Sequence, residues 1–172
     1  MITTKLNKEA IQDLTDKLLS ARNSNLKMVL DIDHRLQLVG SKDGVEYIND
    51  SKSTTVTATH YSLTCMEGPV IWLLSCLETR QRFGELKSLV DEKVNAIFFL
   101  GKEDDPFIEE FIQHVDVIQS CDTMVELVSE SMKLAEAGDT VLFSPASAVS
   151  DAYEGYGERG AEFKTAVESL TD

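Results

Sequence analysis

The sequence predicts an α/β fold with a mostly parallel, Rossmann-like sheet, and three observations carry that prediction. Continuous apolar runs, "VIWLL" at 70–74, "AIFFL" at 96–100 and "TVLF" at 140–143, read as strands buried on both faces. Stretches with helical apolar spacing alternate with these runs, the pattern of right-handed βαβ units. "LQLV" at 36–39 and "VEYI" at 45–48 flank Ser41-Lys42-Asp43-Gly44, where Asp-Gly between β-rich runs marks a hairpin. The expected architecture is a sheet of about six strands, with one antiparallel edge strand and helices on both faces.

In chain order, Leu6, Ile11, Leu14, Leu18 and Ala21 give residues 5–21 a helical stripe, stopped by Arg22-Asn23-Ser24-Asn25. The hairpin over 36–48 follows. Thr55–Met66 forms a helix, and 70–74 is the first doubly buried strand. Phe83–Asp91 is helical, and the strand at 96–100 ends at Gly101. Pro106 opens the helix "PFIEEFIQHV", because proline suits a first turn. "VDVI" at 115–118 is a short strand. Asp122 caps "TMVELVSESMKLAEA", whose Met124, Leu127, Val128, Met132 and Ala135 share a face, and Gly138 ends it. The strand at 140–143 leads into a small-residue loop and a last helix over Glu158–Leu170. Residues 1–32 read as a helical lead-in to a domain over 33–172, the whole forming one compact domain.

Composition narrows the function. A chain of 172 residues is long enough for a real core. A net charge of −14 excludes a non-specific nucleic-acid binder and a protein that docks on anionic lipid. Cys65, Cys76 and Cys121 have no metal-ligand spacing and read as buried small hydrophobes of a reducing compartment. The N-terminus has no apolar signal region, and "PVIWLLSCL" is too short to span a bilayer, so the expected location is the cytoplasm.

In such sheets, ligands sit beyond the carboxyl ends of the strands. Three polar segments fall there: 49–55, 75–82 and 144–156. "NDSKSTT" at 49–55 is either a capping turn before a helix or an anion site, with Lys52 supplying charge and a helix start supplying N–H groups. "SPASAVSDAYEGYGERG" at 144–160 is either an ordinary loop or a place where small residues admit a ligand. Arg35 in "DHRLQ" can grip a phosphate or a ribose, although a surface ion pair is the commoner use of such an arginine. His34, His60 and His114 show no metal spacing, and no nucleophile triad is visible. Trp72 reads as core. No GxxxxGK[ST] and no strand-linked GxGxxG occurs.

Two long segments, "DHRLQLVGSKDGVEYINDSKSTT" and "GDTVLFSPASAVSDAYEGYGERGAEF", resemble ordered motifs of the Mur ligase C-terminal domain. The resemblance is nearest to the branch that joins D-glutamate to UDP-N-acetylmuramoyl-alanine. There the first block runs roughly "NGVxFINDSKATN" after a His-Arg pair, and the second "GDxVLLSPACASFDxFxNFExRGxxF". "KVNAIFFLG" is similar to the family's next strand. The resemblance spans about residues 33–170.

It implies a function in peptidoglycan biosynthesis. Family members use ATP and magnesium to convert an acid to an acyl phosphate, which an amino acid then attacks. A central domain carries the P-loop and the metal ligands, and the C-terminal domain closes over it with the amino acid. Carried over by position, Lys52 and Thr54 contact the amino-acid carboxyl groups, with Ser144 and Tyr156 in the same substrate site. Arg35 and Asp50 contact the nucleotide. The resemblance assigns no catalytic residue and no metal ligand to this chain. ATP and magnesium belong mainly to the central domain, so no tightly bound cofactor is expected here. The expected partners are a weakly held small carboxylate or phosphate and a P-loop-bearing ligase domain.

The departures point elsewhere. Val149 stands where the family has a second serine after "SPACA", and valine donates no hydrogen bond. Tyr156 replaces a phenylalanine. The family's Gly-Gly-x-x-Lys-like loop is "SCLETRQRF", with Thr79 at the lysine and Arg80 beside it. Two functions therefore stand side by side: the amino-acid-binding domain of a ligase, not catalytic by itself, or a binding or regulatory module derived from one.

Overall fold

The computed structural model describes residues 33–75, 82–102 and 105–171. The helix expected over 5–21, the lead-in over 1–32, and Thr79 and Arg80 lie outside the described residues.

The elements alternate as the apolar runs require. Strand β1 (Gln37–Lys42) turns at Asp43-Gly44 into β2 (Val45–Asn49), then come α1 (Val56–Cys65) and β3 (Val70–Leu74). A 3₁₀ turn (Phe83–Leu86) leads into α2 (Lys87–Lys93), followed by β4 (Val94–Leu100) and α3 (Asp105–Phe111). Then come β5 (Val117–Cys121), α4 (Met124–Leu134), β6 (Thr140–Phe143) and α5 (Tyr156–Thr171). The sheet has the order β1-β2-β6-β3-β4-β5, with β1 antiparallel to β2 and every other pair parallel. Asp43 and Gly44 both take positive φ, 52° and 83°, which the tight hairpin demands.

Alternation along the central strands divides the core in two. Ile71, Leu73, Phe98, Val141 and Phe143 pack with Leu127, Val128, Phe163 and Val167 of α4 and α5. Trp72 and Phe99 point the other way, into edge-to-face contacts with Phe107 and Phe111 of α3. Trp72 is core, as its apolar run implied. Helix α1 buries Val56, Thr59, Ser62 and Leu63. Half of that face is hydroxyl-bearing, which signals a polar neighbour rather than an oily one.

Several boundaries differ from the sequence reading, each for a local reason. The fifth strand covers 117–121, not 115–118: pairing with β4 sets its register, and as an edge strand it tolerates the polar Gln119 and Ser120. Thr123, not Asp122, caps α4. Its hydroxyl accepts from the Glu126 N–H, and the Glu126 carboxylate accepts from the Asp122 N–H. Helix α3 ends at Phe111, and α5 begins at Tyr156, two residues before the expected start.

Candidate functional site

Strand register builds the site. Asn49, the last residue of β2, pairs with Phe143, the last of β6, and Phe143 pairs with Leu73 on its other side. The chain segments that follow leave the sheet together. The Asp50 N–H donates to the Phe143 carbonyl at 2.8 Å, and the Ser144 N–H to the Leu73 carbonyl at 3.0 Å. This is the point where the strand order reverses around β6 and β3, the place open α/β sheets use for ligands.

Asp50 is the hub. Its carboxylate is wholly buried and accepts from Ser62 Oγ at 2.5 Å, Ser144 Oγ at 2.9 Å and the Leu36 N–H at 3.3 Å. The Arg35 Nε lies 4.0 Å away. Ser144 Oγ in turn lies 2.8 Å from Thr59 Oγ1, and the Trp72 indole donates to the Ser144 carbonyl at 2.8 Å. A buried charge persists only when donors surround it in this way.

A second polar cluster adjoins the first. Arg159 of α5 is fully buried and donates to Ser51 Oγ (3.1 Å), the Ser51 carbonyl (2.9 Å) and Ser75 Oγ (2.7 Å). Desolvation lowers its pKa to about 10, so it remains a cation at neutral pH. Asn49 donates to the Gly160 carbonyl at 2.9 Å, and its amide nitrogen lies 3.1 Å from His34 Nδ1. That bond makes Nδ1 an acceptor and places the imidazole proton on Nε2.

Backbone strain gathers at the same place. Among the described non-glycine residues, positive φ occurs at His34 (62°), Leu36 (46°) and Ala146 (56°), besides the hairpin's Asp43. Such left-handed residues cost about 1–3 kcal/mol each and persist where surrounding contacts over-determine them. Ala146 donates its N–H to the Ser53 carbonyl at 3.1 Å, stitching the 144–147 loop to the 50–55 turn. His34 and Leu36 bracket Arg35 and aim it along the turn.

Ahead of the helix start, the backbone of the turn is committed to the protein. The N–H groups of residues 50 to 54 donate in turn to Phe143 O, Asn49 Oδ1, His34 O, Asp50 O and Lys52 O. The Thr55 hydroxyl caps α1 by accepting from the Ala58 N–H. Over residues 50–54, an anion meets side chains. Lys52 holds its ammonium 5.6 Å from the Tyr156 ring centre, and the Arg35 guanidinium stands 5.7 Å from that of Tyr61. Arg35 Nη1 also reaches Ser53 Oγ at 3.4 Å.

The structure thus divides the six expected site residues. Lys52, Thr54, Tyr156 and Arg35 retain exposed surface around the turn. Asp50 and Ser144 are enclosed, with their polar atoms occupied by protein, and they hold the turn in place. Sequence reading missed Asn49, Ser62, Thr59, Trp72 and Arg159 as parts of this network. Arg159 left a signal: with Phe163, Ala166 and Val167 it lies on the helical stripe that α5 buries. Among the described residues, no group of His, Cys, Asp and Glu is arranged to hold a metal, and no helix is long and apolar enough to cross a membrane.

The comparisons with known proteins agree with this fold. Residues 34–147 match the family described as Mur ligase, glutamate ligase domain. UDP-N-acetylmuramoylalanine–D-glutamate ligase from Christiangramia forsetii is 40% identical over 139 residues, covering 81% of this chain and 31% of that protein. The ligase of the same name from Cytophaga hutchinsonii is 35% identical over 147 residues, covering 86% of this chain and 33% of its own. The chain therefore spans about a third of the length of these relatives. Among solved structures, MurF from Acinetobacter baumannii shares the fold, with a TM-score of 0.53 at 14% identity over 81% of this chain and 31% of that one.

Proposed function

We propose that this chain, which belongs to the Mur ligase family through its glutamate ligase domain, is the amino-acid-binding, closing domain of an ATP-dependent acid–amino acid ligase. The reading places it in peptidoglycan biosynthesis, in the cytoplasm. The observation that supports it best is the Asp50–Ser144 junction. Two distant motifs converge there on one buried carboxylate, and beside it the partly exposed Lys52 and Arg35 concentrate positive charge in a chain of net charge −14.

In this reading, the Lys52 ammonium and the Thr54 hydroxyl take a carboxylate of the incoming amino acid, with Tyr156 as the wall beside it. Arg35 takes a phosphate of the nucleotide. Asp50 and Ser144 serve both by fixing the turn. ATP and magnesium, when bound, turn the acceptor acid into an acyl phosphate. The 172 residues contain no GxxxxGK[ST] segment, so that step is assigned to a partner domain that carries one. By itself, the chain offers one charge-assisted contact worth about 1.5–3 kcal/mol, which corresponds to millimolar binding or weaker.

The decisive experiment is complementation. The Christiangramia ligase shorn of its matching C-terminal third is mixed with this chain, ATP, magnesium, UDP-N-acetylmuramoyl-L-alanine and D-glutamate, and phosphate release is followed. The expected result is no turnover from either piece alone and turnover from the mixture, lost in Lys52→Ala. A second reading, a non-catalytic binding module derived from a ligase, is favoured by Val149, which puts no hydroxyl where the family pattern has a serine. A silent mixture that binds no D-glutamate would select it.

A further inference from the structure

Arg159 presents an unusual physical situation. No carboxylate among the described residues lies within 4.0 Å of its guanidinium, although the side chain is fully buried. Burying a cation costs several kcal/mol unless close partners offset it. Its position on α5 falls on the stripe of Phe163, Ala166 and Val167, where an aliphatic side chain would pack without that cost. What the arginine accomplishes is visible in its partners. Nε and Nη2 grip the hydroxyl and the carbonyl of Ser51, the residue before Lys52, at 3.1 and 2.9 Å. Nη1 grips Ser75 Oγ at the end of β3 at 2.7 Å, and Ser75 lies 3.2 Å from Ser147 Oγ. One rigid fork therefore ties together the 50–55 turn, the end of β3 and the 144–147 loop. A lysine, with a point charge and no fork, cannot span these acceptors.

We propose that Arg159 is a positioning residue that fixes the Ser51–Lys52 peptide against the end of β3, and so sets where the Lys52 ammonium meets the ligand's carboxylate. The inference rests on the function proposed above for Lys52. It goes beyond that function in assigning the aim of Lys52 to a buried residue that touches no ligand. Displacing a binding group by about 1 Å costs up to roughly a hundredfold in rate or affinity, so the effect is measurable.

The test uses Arg159→Lys and Ser75→Ala in the 172-residue chain. By amide NMR, both variants should shift Ser51, Lys52, Ser75 and Ser147 and leave Met124–Leu134 at wild-type positions. In the complemented ligase, Arg159→Lys should raise the KM for D-glutamate roughly tenfold or more while the KM for ATP stays within about twofold. A merely structural role would change neither KM selectively. If Arg159→Lys fails to fold, Ser75→Ala, which removes one arm and leaves the guanidinium, carries the test with a smaller shift in the same direction. Unmoved amides at Ser51 and Lys52 overturn the proposal, as does an unchanged KM for D-glutamate in an active mixture. Shifted amides with a silent mixture support the positioning and overturn the ligase reading instead.

Discussion

Ser144 Oγ donates to the Asp50 carboxylate at 2.9 Å across 94 positions of sequence. Ser62 donates to the same oxygen from α1, so one buried charge ties together two strand ends and a helix. Asp50→Asn should lower stability by about 1–3 kcal/mol, since the amide accepts fewer bonds and gives up their charge assistance. Asp50→Ala should cost more, about 3–5 kcal/mol, because the Arg35 charge and three donors lose their partner. Urea unfolding of both variants measures this. A wild-type midpoint for Asp50→Ala would show that the hub does not anchor the turn.

Gly160 has no room for a side chain. A Cβ there would lie 2.4 Å from His34 Nδ1, 2.9 Å from His34 Cγ and 3.0 Å from Ser51 Cβ. Gly160→Ala must expel the imidazole and break its bond to Asn49, at about 1–3 kcal/mol. Combined with His34→Ala, the penalty should fall below the sum of the two single changes, because the clash with the imidazole is then gone. A double-mutant cycle on unfolding free energies reads this directly, and strict additivity would contradict the packing described.

Lys93 closes the far end of α1 from a different helix. Its ammonium donates to the carbonyls of Leu63, Thr64 and Met66 at 3.3, 3.2 and 2.7 Å. The Leu63 carbonyl also accepts from the Met66 N–H, so Lys93 supplements the helix's own cap, and a cation suits the negative pole there. Lys93→Met should cost about 1–2 kcal/mol and speed hydrogen exchange in the last turn of α1. Protection in α4 should not change beyond the global loss.

Cys121 links stability to alkaline pH. Burial, helped by Glu126, Glu130 and Asp122, raises its thiol pKa from 9.0 to about 11. Between those values the unfolded chain releases a proton that the folded chain keeps. The full contribution is therefore present below about pH 9 and is lost as pH rises to about 11. Urea midpoints should fall across that window in the wild type and fall less in Cys121→Ala. Tyr47, whose pKa burial also raises, supplies part of the remaining slope. An identical slope in the variant would remove Cys121 from the account.

The strands at 70–74 and 140–143 were legible to the residue, because a strand sheathed on both faces must be apolar throughout and polar neighbours mark its ends. The edge strand at 117–121 was not, since one of its sides is free and its pattern is correspondingly mixed. Within the site, the two motif segments announced themselves as polar runs at strand ends. The sequence could not show that Asp50 and Ser144 would be enclosed, because enclosure depends on the register of Asn49 against Phe143.

The sequence by itself determined the alternation of elements, the hairpin edge and the two segments that carry the site, because these follow from local periodicity and turn chemistry. The tertiary structure decided which polar groups face a ligand and which face each other. The N–H groups of 50–54 look free in a linear reading and are all consumed once His34, Asn49 and Phe143 are brought against them. Arg159 shares the helical stripe of Phe163 and Val167, but only the folded chain shows it as the buried tie between Ser51 and Ser75. The physical reason is the same in both cases. Hydrogen-bond satisfaction in a buried site is set by partners far away in sequence, and only packing the sheet brings them within 3 Å or so of each other.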